Sequence, residues 1–161
     1  MRKFLYLFVL LLIAVDQVTK FWANNSLPFH QAVDVVPFFS LYLTYNTGVA
    51  FSMLSWLGSK GLIILTVLII LFMLYLWRRV PRHQQLASIG FSLVIAGAIG
   101  NLIDRVTQGH VIDFFLFHTQ TWAFAVFNVA DSFITIGAIA IIAEEILAML
   151  KNKDKTPEIQ E

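Results

Sequence analysis

From residue 61 to residue 77 the chain carries no charged side chain, and three further runs, 4–15, 86–103 and 130–150, are almost as apolar. In hydrocarbon a backbone has no water to satisfy its N–H and C=O groups, so such runs must be helices or strands of a closed barrel. The runs lack the period-two alternation of barrel strands and approach the roughly 20 residues that a helix needs to cross a bilayer core. A soluble domain is excluded by composition as well: 58% of residues are hydrophobic, 13% are charged and mean hydropathy is +0.77. The expected fold is a membrane protein, mainly α, with four transmembrane helices in one domain spanning 1–161.

The first run follows Arg2 and Lys3 like the start of a signal peptide. It meets no small-residue cleavage pattern, but Asp16, Gln17, Lys20, Phe21 and Trp22, so an uncleaved helix over about 4–23 is expected, anchored by its aromatic end. The other spans are expected at about 61–77, 86–103 and 130–150. Between the first two lies a stretch rich in β-formers and turn residues, with Pro28, Pro37 and the run 38–45. A second such segment covers 111–117 and continues into aromatic residues up to 127. Strands cannot lie open in hydrocarbon, so segments of about 31–52 and 111–127 should form a small β-rich cradle on the membrane surface. The third span is rich in Gly, Ala and Ser, which let helices approach closely in lipid.

Of the 11 Lys and Arg residues, eight (Arg2, Lys3, Arg78, Arg79, Arg82, Lys151, Lys153, Lys155) fall on the side of the termini and three (Lys20, Lys60, Arg105) on the other. The positive-inside rule then makes both termini cytoplasmic, the tail 151–161 included, and that polar tail is expected to be disordered. Asp16, Asp34, Asp104, Asp113 and Asp131 all reach the outer interface. A net charge of +1 without a basic stripe argues against a nucleic-acid partner. The absence of Cys removes thiolate nucleophiles, Cys-ligated metals and disulfides.

Acids flanked by apolar residues at membrane depth are by default a functional-site hypothesis, because their desolvation is costly. Asp113 interrupts an apolar strand-like run, and Asp131 opens the fourth span, where a helix N-terminus favours a carboxylate. Two carboxylates brought together share one proton, so one can activate water while the other protonates a substrate, the arrangement that serves peptide hydrolysis. The plainer reading makes Asp131 a helix cap and Asp113 a surface residue. Asn128 and Asp131 are three apart and share a face if the helix begins early enough. Asp104 with Arg105 is expected to be a structural pair beside Asn101, and Asp16 with Lys20 either an intrahelical salt bridge or part of a binding site. Asn46 and Gly48 read as a turn that could also offer hydrogen bonds to a peptide. Glu144 and Glu145 are expected to snorkel towards the interface.

Signatures of other catalytic classes are missing: HExxH, GxSxG and GxxxxGK[ST] do not occur. A metal site of His110, Asp113 and His118 can be drawn, but interfacial His is more often a hydrogen-bonding group; neither metal nor cofactor is expected. Two readings of another kind stand beside the enzyme. A small proton-coupled transporter subunit would use the acids as relay groups, and a membrane scaffold would use the polar motifs only to pack helices.

Five motifs occur in order: DQVTK at 16–20, NTGVAF at 46–51, GNLIDR at 100–105, VIDF at 111–114 and FNVAD at 127–131. In this the chain resembles the bacterial lipoprotein signal peptidases, signal peptidase II, over nearly its full length. The resemblance implies an aspartic endopeptidase of the bacterial inner membrane that cleaves lipid-modified prolipoproteins just before the diacylglyceryl cysteine. It implies Asp113 and Asp131 as the catalytic pair, with Asp16, Lys20, Asn46, Asn101, Asp104, Arg105 and Asn128 positioning substrate or supporting the pair. Gly48 belongs to the same motif as Asn46. The chain has Ala96–Gly97 where many members carry a Gly pair, a methyl group that should be tolerated. A membrane lipid environment and a monomer are expected.

Overall fold

The computed structural model describes residues 2–48 and 57–153, with the side chains of residues 2, 3, 152 and 153 left aside. Residues 49–52 of the first outer segment, with the VAF of NTGVAF, and 154–161 of the tail lie outside the described residues. Four helices, α1 (Arg2–Ser26), α2 (Gly58–Arg79), α3 (Gln85–Gln108) and α4 (Val129–Lys153), run beyond the ends of the apolar runs that define them. All four are long and apolar enough to cross a membrane.

α3 is the hub, packing against α1, α2 and α4. Its small residues make this possible. A Cβ on Gly97 would land on the Ala130 carbonyl oxygen and come within 2.8 Å of Ile134 Cγ1, so α3 and α4 approach backbone to backbone there. Ala96 is fully buried against Val9 and Leu12 of α1, where its methyl group fills the interface. The other three helices turn large apolar side chains outward, among them Phe4, Leu7, Phe21, Leu68, Phe72, Ile139 and Leu147, as lipid-facing surfaces do.

Three strands, β1 (Ala32–Val36), β2 (Phe39–Asn46) and β3 (Val111–Phe117), form one antiparallel sheet in the order β1-β2-β3. The expected run 38–45 is β2 and 111–117 is β3, while β1 precedes them as an exposed edge. One face of the sheet caps the bundle: Leu43, Ile112 and Phe114 bury against Ala23 of α1, with Leu27 and Val129 beside them. Successive residues of a strand point to opposite faces, so burying Ile112 and Phe114 turns Asp113 the other way. The main chain at Phe127 bonds to Phe114 and Phe115, which places the start of α4 next to β3.

Candidate active site

The buried face of α1 runs through Val9, Leu12, Asp16, Lys20 and Ala23, apolar at one end and charged at the other. Lys20, only 2% exposed, satisfies its ammonium with Asp16 Oδ2 at 3.0 Å, Asp104 Oδ2 at 2.8 Å and Asn101 Oδ1 at 2.9 Å. Three donors thus meet three acceptors, the condition under which a buried charge is tolerated. The pair expected between Asp16 and Lys20 therefore forms, but it extends to α3 rather than closing on itself. The pair expected between Asp104 and Arg105 does not form. Adjacent residues on a helix point about 100° apart, and Asp104 turns to Lys20, to Gln17 Nε2 at 3.0 Å and to the Ile112 amide at 3.3 Å. Asp104 thereby ties α3 to both α1 and β3.

Lys20 also orients the next residue. It can only donate, so the Asn101 atom facing it is the amide oxygen, and the Asn101 Nδ2 is sent the other way to donate to Asp131 Oδ1 at 2.8 Å. Asp131 and Asn128 form a reciprocal cap at the start of α4. The Asp131 N–H donates to Asn128 Oδ1 at 2.9 Å, and the Asn128 N–H to Asp131 Oδ2 at 3.2 Å. Asn128 thus precedes the helix instead of sharing a helical face with Asp131. The free N–H of Ala130 goes to Asp16 Oδ1 at 2.9 Å, so two carboxylates serve one helix N-terminus.

With its oxygen held by the Asp131 N–H, Asn128 points its Nδ2 at Asp113 Oδ1, 2.7 Å away, with Asn101 Oδ1 at 3.1 Å and the Ile112 carbonyl at 3.2 Å. The second oxygen of Asp113 accepts from Asn46 Nδ2 at 3.0 Å. Asp113 is 1% exposed, whereas Asp131 is half-buried. Burial, and then the charge of nearby Asp131, push the Asp113 carboxyl up to about 7, against the opposing hydrogen bonds from Asn46 and Asn128 and the charge of Lys20. A carboxyl poised near neutrality can both give and take a proton at physiological pH.

The Asn46–Gly48 turn closes on itself, the Gly48 N–H donating to Asn46 Oδ1 at 2.9 Å, and uses its remaining groups on the site. Arg105 donates Nη2 to the Gly48 carbonyl at 2.7 Å and Nη1 to the Asn101 carbonyl at 3.4 Å. Its Nε is buried without an acceptor among the described residues, close to the charges of Asp131, Asp113 and Asp104. Asp16, Lys20, Asn46, Gly48, Asn101, Asp104, Arg105, Asp113, Asn128 and Asp131 thus form one connected network.

One member escaped the sequence reading. Gln17 Nε2 donates to Asp104 Oδ1, Asp16 Oδ2 and the Gly100 carbonyl, and its only signal was its place inside DQVTK. The two His residues face elsewhere: His118 meets Ser40 Oγ at 2.6 Å, beside Asp34, and His110 packs on the Tyr45 ring. Glu144 accepts from the Leu86 and Ala87 N–H groups at the start of α3.

Fold and site together define a multi-pass membrane protein with a carboxylate and amide cluster at the sheet-capped end of its bundle. The model of a family described as signal peptidase (SPase) II matches residues 8–147, which include every residue of the network. Lipoprotein signal peptidases of Sinorhizobium fredii and Allorhizobium ampelinum are each 50% identical to the chain over 147 residues, covering 91% of it and 89% and 90% of their own lengths. A solved bacterial membrane enzyme, determined in meso at 2.3 Å, is 31% identical and superposes with a TM-score of 0.81 over 99% of this chain and 94% of its own. The chain belongs to the signal peptidase II family, and by that membership it is a membrane protease.

Proposed function

We propose that the protein is an aspartic endopeptidase that removes signal peptides from diacylglyceryl-modified prolipoproteins, with Asp113 and Asp131 as the reacting pair. The observation that carries this reading is the Asn128 and Asn101 bridge. It holds two carboxylates side by side with no cation bonded to either among the described residues, and leaves Asp113 titrating at about 7. Asp113 holds the shared proton at rest. Asp131, the more open of the two, takes a proton from water as the water oxygen bonds to the scissile carbonyl carbon, and Asp113 gives its proton to the carbonyl oxygen. When the tetrahedral species collapses, Asp131 returns a proton to the leaving amide nitrogen and Asp113 recovers its own. Asp16, Lys20, Gln17, Asn101 and Asp104 hold the pair, and Asn46, Gly48, Arg105 and Asn128 position it and the peptide.

The positive-inside rule supports an orientation with both termini cytoplasmic and the site at the outer face, where the acyl chains of a lipidated cysteine would hold the scissile bond. Nothing in the network needs a second subunit, so a monomer is the proposed working unit. The relay alternative is disfavoured by Glu144, the acid deeper in α4, whose carboxylate is engaged by the α3 N-terminus. The test is cleavage of a lipidated precursor by purified protein in detergent, comparing wild type with Asp113→Asn and Asp131→Asn. Full activity in either variant rejects the pair, and equal turnover of unlipidated precursor rejects lipid recognition.

A further inference from the structure

At the end of the bundle opposite the site, α1 and α2 flank a shallow open groove lined by Tyr6, Leu74, Trp77 and Arg78, of which Tyr6 is 54% exposed. Tyr6 lies ten residues before Asp16, about 15 Å along the helix. The groove is rigidly backed. Trp77 is 7% exposed, packs on Phe91 and Ile95 of α3, and meets the Tyr6 ring edge-on at 5.5 Å. The lining carries three kinds of hydrogen-bond donor, the Tyr6 hydroxyl, the Trp77 indole N–H and the Arg78 guanidinium, and none has an acceptor among the described residues. Neighbouring Arg79 is engaged differently, lying over the Tyr75 ring at 5.0 Å. Leu74, one turn before Arg78, adds an apolar wall, and the surface outside is lipid-facing, with Leu71 and Tyr75 more than half exposed.

A ligand matched to this groove offers anionic acceptor oxygens at the basic end and hydrocarbon below. We propose that the groove binds one anionic phospholipid, its phosphodiester on Arg78 and the two aromatic donors and an acyl chain along Leu74. Basic pockets between helix ends serve such headgroups elsewhere. A free phosphate ion would leave the apolar wall unused, and a zwitterionic lipid would gain less from the unpaired guanidinium. The proposal is independent of the protease reading, and the orientation only decides which leaflet supplies the lipid.

Native mass spectrometry of the purified full chain tests this, with phosphatidylglycerol, phosphatidylcholine or inorganic phosphate added. The expected result is a single phosphatidylglycerol adduct that outlasts the phosphatidylcholine one. Arg78→Gln should weaken it about tenfold, the scale of one charge-assisted hydrogen bond, and Tyr6→Phe should weaken it less. Cleavage of lipidated precursor in detergent should be unchanged in both variants, which shows that they are folded. Equal phosphatidylglycerol retention by Arg78→Gln, equal retention of the two lipids, or displacement of the lipid by inorganic phosphate would each overturn the proposal.

Discussion

The molecule holds two pairs of buried or half-buried acids within one hydrogen-bonded network, and they are neutralised in different ways. Asp16 and Asp104 share an ammonium, that of Lys20, whereas among the described residues Asp113 and Asp131 are joined through Asn128, which donates to both, and through Asn101, which links Asn128 to Asp131. A cation bonded to both acids stabilises both charges and leaves little reason for either to exchange a proton. An amide bridge holds two acids in place without pairing either with a cation, so a shared proton is an effective relief of their mutual repulsion. Similar residues, a few ångströms apart, therefore become a structural brace in one pair and a proposed reacting site in the other.

Substitutions at the amide-bridged pair should have the largest effect. Asp113→Asn or Asp131→Asn is expected to lower kcat for lipidated precursor by about 10³-fold or more while thermal unfolding still shows a folded protein. A variant that instead unfolds without the acid would mean that this pair, too, is a brace. Lys20→Met probes the other side of the comparison. It strands two buried carboxylates, a loss on the order of 3–5 kcal/mol, and should appear first as a fall in Tm. It also removes one of the two donors that hold the Asn101 oxygen and so loosens the Asn101 Nδ2 contact with Asp131, and activity should fall further than stability alone accounts for.

Gly100→Ala is a gentler probe of the brace. A Cβ there would strike Asp16 Oδ2, the oxygen paired with Lys20, with Asp16 Cγ only 3.0 Å away, and so shift the carboxylate whose other oxygen caps Ala130. An intermediate loss, about tenfold in kcat/KM, is expected from a misplacement of this kind. Activity unchanged by this methyl group would uncouple the brace from the reacting pair.

The pH profile should show the smallest and most specific effect. With Asp113 raised from 3.8 to about 7, its proton is present below that value and lost above it, so kcat/KM should fall as pH rises through about 7. The Asn46 hydrogen bond favours the ionised form, so Asn46→Leu should raise the Asp113 pKa and move that limb upward by about one pH unit. Movement downward, or none, would place the limb on another group.

The four helices were legible because the hydrocarbon allows a continuous apolar run so few solutions, and β3 because its seven residues stand out between a Gly and an aromatic loop. The candidate acids were legible because a charge among apolar residues is conspicuous. The local pairings were less so. Asp104 was expected to pair with Arg105 but pairs with Lys20, and the bond of Glu144 to the start of α3 was not foreseen, since spacing along a helix says which residues are near in sequence but not which neighbouring helix they face. Gln17 escaped because one polar residue beside a conspicuous acid carries no signal of its own.

The sequence by itself thus determined that this chain crosses a membrane in four helices and which acids stand out against the apolar runs, because burial in lipid selects backbone and charge strongly and locally. Which acid shares a cation and which shares an amide was decided by tertiary structure alone. Gly97 and Gly100 let α3 approach α4 and Asp16 closely, and the sheet turns Asp113 away from Ile112 and Phe114 towards Asn128. These contacts join residues more than a hundred positions apart in the case of Asp16 and Ala130, and hydrogen bonds of that range exist only once the bundle has closed.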